Sequence, residues 1–333
     1  MSGAPDAATW RAGLESPGRV RQTLAMETTH GASREAGRHS APVTDPALEW
    51  AAGVLELRPE ALGIGWERER EWSRVRRLDR PGGRRAWLKQ VPEGLRAEAA
   101  LTSLLARSGV PGALPVLAAE PSEGWLLTPD GGQTLSEALG DGEADGGALL
   151  AAPWEEALRA YARLQRAAEP LAGELLAAGV PDLRPEALPA LAARRVFEDA
   201  PELARLLPLW EEDAACLAAS GIPASVQHED LHPGNVFAAS LTVFDWGDAS
   251  ISHPWQSLTV AVQEPWELGA QEAYLREWGR DPGDPQTAAE LAAARRLGCV
   301  GRAASWARVR DAVGTPPRFG NPVAGWLARG EDF

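Results

Sequence analysis

The chain of 333 residues carries one lysine, two asparagines, two cysteines and five histidines, and each scarcity excludes something. Cys216 and Cys299 lie far apart with no C-x-x-C pair, which rules out a disulfide framework or a cysteine-based zinc site. Both are expected to be buried, reduced thiols. No stretch approaches the roughly 18 uninterrupted apolar residues of a membrane span. The first twenty residues lack an apolar h-region and mix acids with arginines, which argues against a signal or transit peptide. A cytoplasmic protein with no membrane partner is therefore expected. The net charge of -14 is uneven: 17 acids and 17 bases through residue 130, then 30 acids and 16 bases. Such an excess repels nucleic acid and would favour a cationic small substrate, although solubility is the plainer explanation.

Of the 33 basic residues, 32 are arginine. A chain that uses arginine wherever either residue serves has kept Lys89 where a compact ammonium is needed and a planar guanidinium would not substitute, such as a phosphate clamp.

The length implies two lobes with a cleft between them. Residues 1–45 are polar and without apolar periodicity, so they read as a disordered tail, and Met26 is an alternative start. An N-terminal lobe over 46–130 follows: a short helix from Asp45, strands in GIGWERER, EWSRVRRLD and RRAWLKQV, a turn at Pro81-Gly82-Gly83, and a helix in GLRAEAALTSLLARSGV with Glu98 in its first turn. Two more strands in LPVLAAEPSEGWLLTPDGG lead to a hinge near 127–132. The remainder, 131–333, is mainly helical, with helix to about Ala312.

The exception is VQHEDLHPGNVFAASLTVFDWGDAS, residues 226–250, which together with His253 hold three of the five histidines and one of the two asparagines. Phosphoryl transfer needs a lysine on the nucleotide phosphates, an acid orienting it, a base at the attacking hydroxyl and oxygen ligands for Mg²⁺. His228-x-Asp230 followed by Asn235 has the spacing of a kinase catalytic loop, and Asp245-Trp246-Gly247 stands where a kinase places its D-x-G. A short hairpin in VFAASLTVF would return Asp245 beside Asn235, so that both grip the metal. Asp230 would take the hydroxyl proton, and Lys89 with Glu98 would complete the set.

This order of motifs, with H-x-D-L-H-P-G-N and F-D-W-x-D-A, resembles the aminoglycoside phosphotransferase family, small-molecule kinases of protein kinase-like fold, and within it a bacterial branch reading QH-x-DLH-x-GNVF and FDWGDAS-x-HP. The resemblance covers about 46–320. It implies an α+β bilobal fold with a small antiparallel sheet-plus-helix lobe and a large helical lobe. It also implies ATP or GTP as co-substrate, Mg²⁺ and a small hydroxyl acceptor, which the acidic surface would favour as a cation; a monomer or homodimer is expected. By position it makes Asp230 the base, Asn235 and Asp245 metal ligands, Lys89 the phosphate lysine, Glu98 its partner, and His228 and His232 supports of the loop. Only Gly63-Ile64-Gly65 remains where a protein kinase shows its glycine-rich loop, and no A-P-E follows the D-x-G, which argues against a protein kinase.

The plainer reading of each residue stands beside these roles. His228 fits a structural histidine and His253 a packing or capping one. Asp248 either orients substrate or caps the turn after Asp245. Most tryptophans should be core, with Trp125 and Trp246 expected near the cleft. Two other classes of function compete: a silent nucleotide-binding module, and a metal-dependent hydrolase using His228, Asp230, His232 and Asp245.

Overall fold

The structure, a computed structural model, describes residues 45–140, 146–315 and 317–333. The tail expected over 1–45 therefore lies outside the described residues, apart from Asp45. That residue caps helix α1 (Pro46–Val54), its carboxylate accepting from the amides of Ala47 and Leu48 at 3.1 Å each.

Strands β1 (Gly63–Arg70), β2 (Ser73–Asp79) and β3 (Arg85–Gln90) form an antiparallel meander. Helix α2 (Ala97–Arg107) follows, then β4 (Ala118–Glu120) and β5 (Trp125–Pro129), giving a five-stranded sheet of order β1-β2-β3-β5-β4. Strand alternation assigns the two faces. Leu78, Ala86, Leu88 and Leu127 point outward and are buried under Ala47 and Ala51 of α1 as a small separate core. Lys89, paired with Val75 and Leu126, points the other way. Helix α2 does not share that small core: its Leu101, Leu104 and Leu105 belong to the large core of the C-terminal half.

That half is built on helices α3 (Leu135–Leu139), α4 (Gly146–Ala168), α5 (Ala172–Ala177), α6 (Leu188–Asp199) and α7 (Leu207–Ala219). After them a two-stranded sheet of β6 (Ser225–Gln227) and β7 (Ser250–Ser252) brackets the segment singled out in the sequence. Helices α8 (Leu258–Ala261), α9 (Leu268–Glu277), the 29-residue α10 (Pro285–Val313) and α11 (Pro322–Arg329) close the fold. The expected hairpin in VFAASLTVF is reduced to one bridge, Val236 to Val243, closed by a tight turn. Strand β6 is anchored from α4: Gln165 donates to the Val226 carbonyl at 2.9 Å, and the Tyr161 hydroxyl accepts from the His228 amide at 3.0 Å. Among the described residues no helix is long and apolar enough to cross a membrane.

Cys299 is buried and burial pushes its thiol up to about 12, while Cys216, contrary to expectation, is only half-buried, packed against the edge of the large core from α7.

His253 is buried, and its Nδ1 accepts from the Trp255 amide at 3.4 Å, capping the turn at 254–257. Burial, helped by the charge of Arg280, drives its pKa down to about 3. The folded protein therefore binds this proton less readily than the unfolded chain. His253 is neutral in both states above about pH 6.5, and stability is lost as pH falls from there toward 3. Between pH 6.5 and 4.5 this one residue should remove about 2–3 kcal/mol. Urea unfolding of His253→Asn, which keeps a capping acceptor, should show a correspondingly shallower acid dependence; a slope equal to that of the unsubstituted chain would refute the assignment.

Candidate functional site

Three segments converge where the two halves meet. From β3, the ammonium of Lys89 reaches Glu98 Oε2 on α2 at 2.6 Å and also bonds Asp245 of the C-terminal half. Burial alone would lower the lysine's pKa, but the Asp245 and Glu98 carboxylates outweigh it and hold it well above the ordinary value. Burial would likewise raise Asp245, yet Lys89 keeps it below the usual carboxylate range. Glu98 goes the other way, because its burial exceeds the help it receives from a lysine it shares. Gly247 lies against this triad, where a Cβ would stand 3.3 Å from Glu98 Oε2.

The second segment is the loop after β6. His228 is fully buried; its Nε2 donates to the Phe244 carbonyl at 2.8 Å and its Nδ1 accepts from the Asp230 amide at 3.3 Å. Burial lowers its pKa, so it is a neutral brace between the two loops. Asn235 Nδ2 donates to the Asp230 carbonyl at 3.0 Å, and the Phe244 amide donates to the Asn235 carbonyl at 3.1 Å. These bonds tie Asp230, Asn235 and the residue before Asp245 together. His232 Nδ1 accepts from the Gly234 amide at 3.1 Å, and its Nε2 lies 4.0 Å from Asp230 Oδ2. Glu229 and Asp245 both have φ of 65°, an uncommon backbone for residues other than glycine.

The third segment, α10, carries a residue that sequence reasoning missed. Arg302 donates from Nη1 to Asp248 Oδ2 at 2.9 Å, and its Nη2 forms an ion pair with Asp230 Oδ1 at 3.1 Å. Burial opposes its charge, but the carboxylates of Asp230 and Asp248 hold it strongly protonated. Asp248 therefore does not cap the turn with its side chain; that carboxylate is engaged by Arg302, and its carbonyl accepts from Arg308 at 2.8 Å. Arg302 reaches the loop because α10 passes close to it. A Cβ on Gly301 would lie 2.9 Å from both carboxylate oxygens of Glu229, so glycine lets helix and carboxylate meet without either shifting. In a chain of 32 arginines nothing marked Arg302; two glycines inside one long helix, Gly298 and Gly301, were the available signal.

Other expectations fail for identifiable reasons. Trp125 pairs with Gln90, one step out of phase with Lys89, so it lies on the outer face against Trp50 at 5.7 Å and not in the cleft. Trp246 follows Asp245 but turns inward, 4.8 Å from the His228 ring, with its indole N–H on the Val243 carbonyl at 3.2 Å. Gly63 and Gly65 stand at the start of β1, opposite Asp79, while the β1–β2 turn is Glu71-Trp72.

The donors suit Mg²⁺. Because the Asn235 amide nitrogen is spent on Asp230, its Oδ1 is free for a cation, and an amide oxygen with one carboxylate matches an ion that keeps most of its waters. Among the described residues no cluster of three or more His, Cys, Asp or Glu could hold a metal, and both ring nitrogens of His228 are engaged, which removes the basis for the hydrolase alternative.

Comparison with known proteins follows the same line. Similar folds include an ethanolamine kinase from Plasmodium vivax, with TM-score 0.60 and 11% identity, covering 85% of this chain and 86% of that one. A choline/ethanolamine kinase family protein from Mesorhizobium loti has TM-score 0.56 and 16% identity, covering 85% and 93%. A macrolide 2'-phosphotransferase from Brachybacterium faecium has TM-score 0.50 and 22% identity, covering 82% and 99%. No curated protein sequence matches. The phosphotransferase enzyme family (APH) matches residues 64–295. That match spans well over half of the chain and includes the residues that the first two segments bring to the convergence, and so the chain belongs to the phosphotransferase enzyme family, a small-molecule kinase on a protein kinase-like scaffold.

Proposed function

We propose that this protein transfers the γ-phosphate of ATP or GTP to a hydroxyl of a small molecule, the nucleotide held under the 46–130 lobe and the acceptor by 131–333. The observation that carries this reading is the junction itself: Lys89 bridges Glu98 and Asp245, while the Asn235 side chain is bound to the backbone of Asp230.

Asp230 is assigned as the residue that accepts the hydroxyl proton, a role contributing about 10²–10⁴ in rate. Lys89 orients the nucleotide phosphates and Glu98 orients Lys89. Asn235 and Asp245 would hold Mg²⁺, which when bound neutralises charge on the phosphates. His228 and His232 shape the loop. Arg302 is assigned as a positioning residue: its charge, itself held by Asp248, draws one oxygen of Asp230 to 3.1 Å. The other Asp230 oxygen is left for the acceptor. The acid excess after residue 130 favours a cationic acceptor such as an amino sugar or amino alcohol. Ethanolamine and choline kinases among the similar folds agree with that class. The reading includes a cytoplasmic location.

Thermal melting with ATP, GTP and Mg²⁺ tests the nucleotide step. Saturation near a hundredfold over Kd should add about 2.7 kcal/mol of stability, and the absence of a shift with either nucleotide would defeat the proposal. In a substrate panel, Asp230→Asn should keep that nucleotide shift and lose about 10²–10⁴ in kcat; wild-type turnover would remove Asp230 from its role. Lys89→Arg should lower kcat/KM tenfold or more, since a planar fork cannot replace a point charge held between two carboxylates. Unaltered kinetics would return Lys89 to a structural role. Arg302→Ala should reduce kcat tenfold or more with little change in nucleotide KM, and Arg302→Lys should recover part of it; a loss confined to KM would contradict positioning of Asp230.

A further inference from the structure

Strand β1 reads Glu67-Arg68-Glu69-Arg70, continued by Glu71, and period-two alternation sorts these charges by face. Glu67 and Glu69 take the outer face. There Glu67 receives Arg74 Nε at 2.7 Å and lies 3.9 Å from Arg76, while Glu69 stands opposite Arg74. Arg68 and Arg70 take the cleft face. Arg68 pairs with Val75, which pairs with Lys89, so the arginine and the lysine share a rung two strands, or about 10 Å, apart. Arg70 is the next cleft-facing residue toward the turn.

Neither arginine has a carboxylate within ion-pair distance among the described residues, whereas most neighbouring charges are paired. Glu71, next to Arg70 in the chain, is taken by Arg318 through two bonds of 3.0 Å. Arg70 is partly buried nonetheless; its guanidinium lies over the Trp72 ring at 5.5 Å. Burial and the like charge of Arg68 lower its pKa, with Asp245 acting in the opposite sense, which puts Arg70 within electrostatic reach of the junction. Arg68 is in turn one of the charges that lower Asp245.

The turn beyond them contains no glycine. Trp72 at its tip packs on Trp306 of α10 at 6.1 Å and on Phe319 at 5.8 Å, so the turn is docked on the C-terminal half. A glycine-rich turn binds phosphates through backbone amides that only glycine exposes closely enough. That device is missing here, and two unneutralised guanidiniums, each a planar fork matched to phosphate oxygens, face the same place.

We propose that Arg68 and Arg70 form a polyphosphate clamp, holding the nucleotide's phosphate chain from the sheet side in place of a glycine-rich turn. This rests on the nucleotide-dependent phosphotransfer proposed above. The docked turn pre-positions Arg70, and the clamp makes affinity depend on the number of phosphates rather than on the base.

Isothermal titration of wild type, Arg70→Gln and Arg68→Gln/Arg70→Gln with Mg²⁺ and either ATP (or GTP, whichever the wild type binds) or the matching nucleoside tests this, with Glu69→Gln as an outer-face control. Urea midpoints of the free proteins report whether each variant is folded. Arg70→Gln should weaken the triphosphate at least tenfold and the double variant further, with nucleoside affinity and urea midpoint little changed; Glu69→Gln should move none of these. Triphosphate affinity of the double variant equal to wild type overturns the clamp alone and leaves the phosphotransferase reading intact. A parallel loss of nucleoside affinity also overturns it, by showing damage to the sheet. A wild type that binds no nucleotide overturns both.

Discussion

The ion triad of Glu98, Lys89 and Asp245 is the constraint on which the rest of the molecule depends. One ammonium serves two carboxylates that come from different halves of the chain, separated by 156 residues in the case of Asp245. A buried cation is tolerable only when paired, and removing one partner of such a set typically costs about 3–5 kcal/mol. The triad therefore enforces the relation between β3, α2 and the loop at Asp245 whenever the fold is intact. The cost of assembling it is offset elsewhere: α1 covers the outer face of the sheet with apolar side chains, and α2 sinks its leucines into the larger core.

Helix α2 is itself fixed by that packing. Leu101, Leu104 and Leu105 are nearly inaccessible and share a core with α4 and α10. Withdrawing Glu98 would expose them, at roughly 1.5–3 kcal/mol per leucine. The β1–β2 turn is fastened as well, through Trp72 on Trp306 and Phe319 and through Glu71 on Arg318. Both elements that a regulated kinase would move are held in place, consistent with the missing A-P-E segment and with a site assembled in advance of its substrate.

What was legible in the sequence follows from the range of the underlying physics. Strand alternation, helix periodicity and turn chemistry act over a few residues, so the meander through β3, Glu98 at the start of α2 and the helix ending near Ala312 could be read directly. The candidate loop at 228–235 stood out because its polar residues are rare in this chain and fixed in spacing. Arg302 did not, because it meets Asp230 only through the tertiary passage of α10 over the loop, and one arginine among 32 carries no local signal. Trp125 was misplaced for a smaller reason: in a strand, one residue of phase decides between cleft and exterior. Asp248 was read from its neighbours in sequence, whereas its carboxylate answers to Arg302, 54 residues away.

The charges behind the catalytic loop show why Arg302 has its particular surroundings. Asp230, Asp248 and Glu229 gather around Arg302 and Arg308, three acids against two guanidiniums. Arg302 is committed to Asp230 and Asp248, and Arg308 donates to the Asp248 carbonyl at 2.8 Å, so Glu229 is left with the Ser250 hydroxyl at 2.8 Å and, among the described residues, no direct ion pair. Burial then raises the Glu229 carboxyl to about 7, Ser250 and the two arginines offsetting only part of it. The left-handed backbone at Glu229 turns its carboxyl toward α10, where Gly301 makes room for it, while Asp230 continues toward the cleft. One strained residue thus separates an acid that is buried and near neutrality from an adjacent acid that stays at the junction, and the difference is set by which of them the arginine can reach.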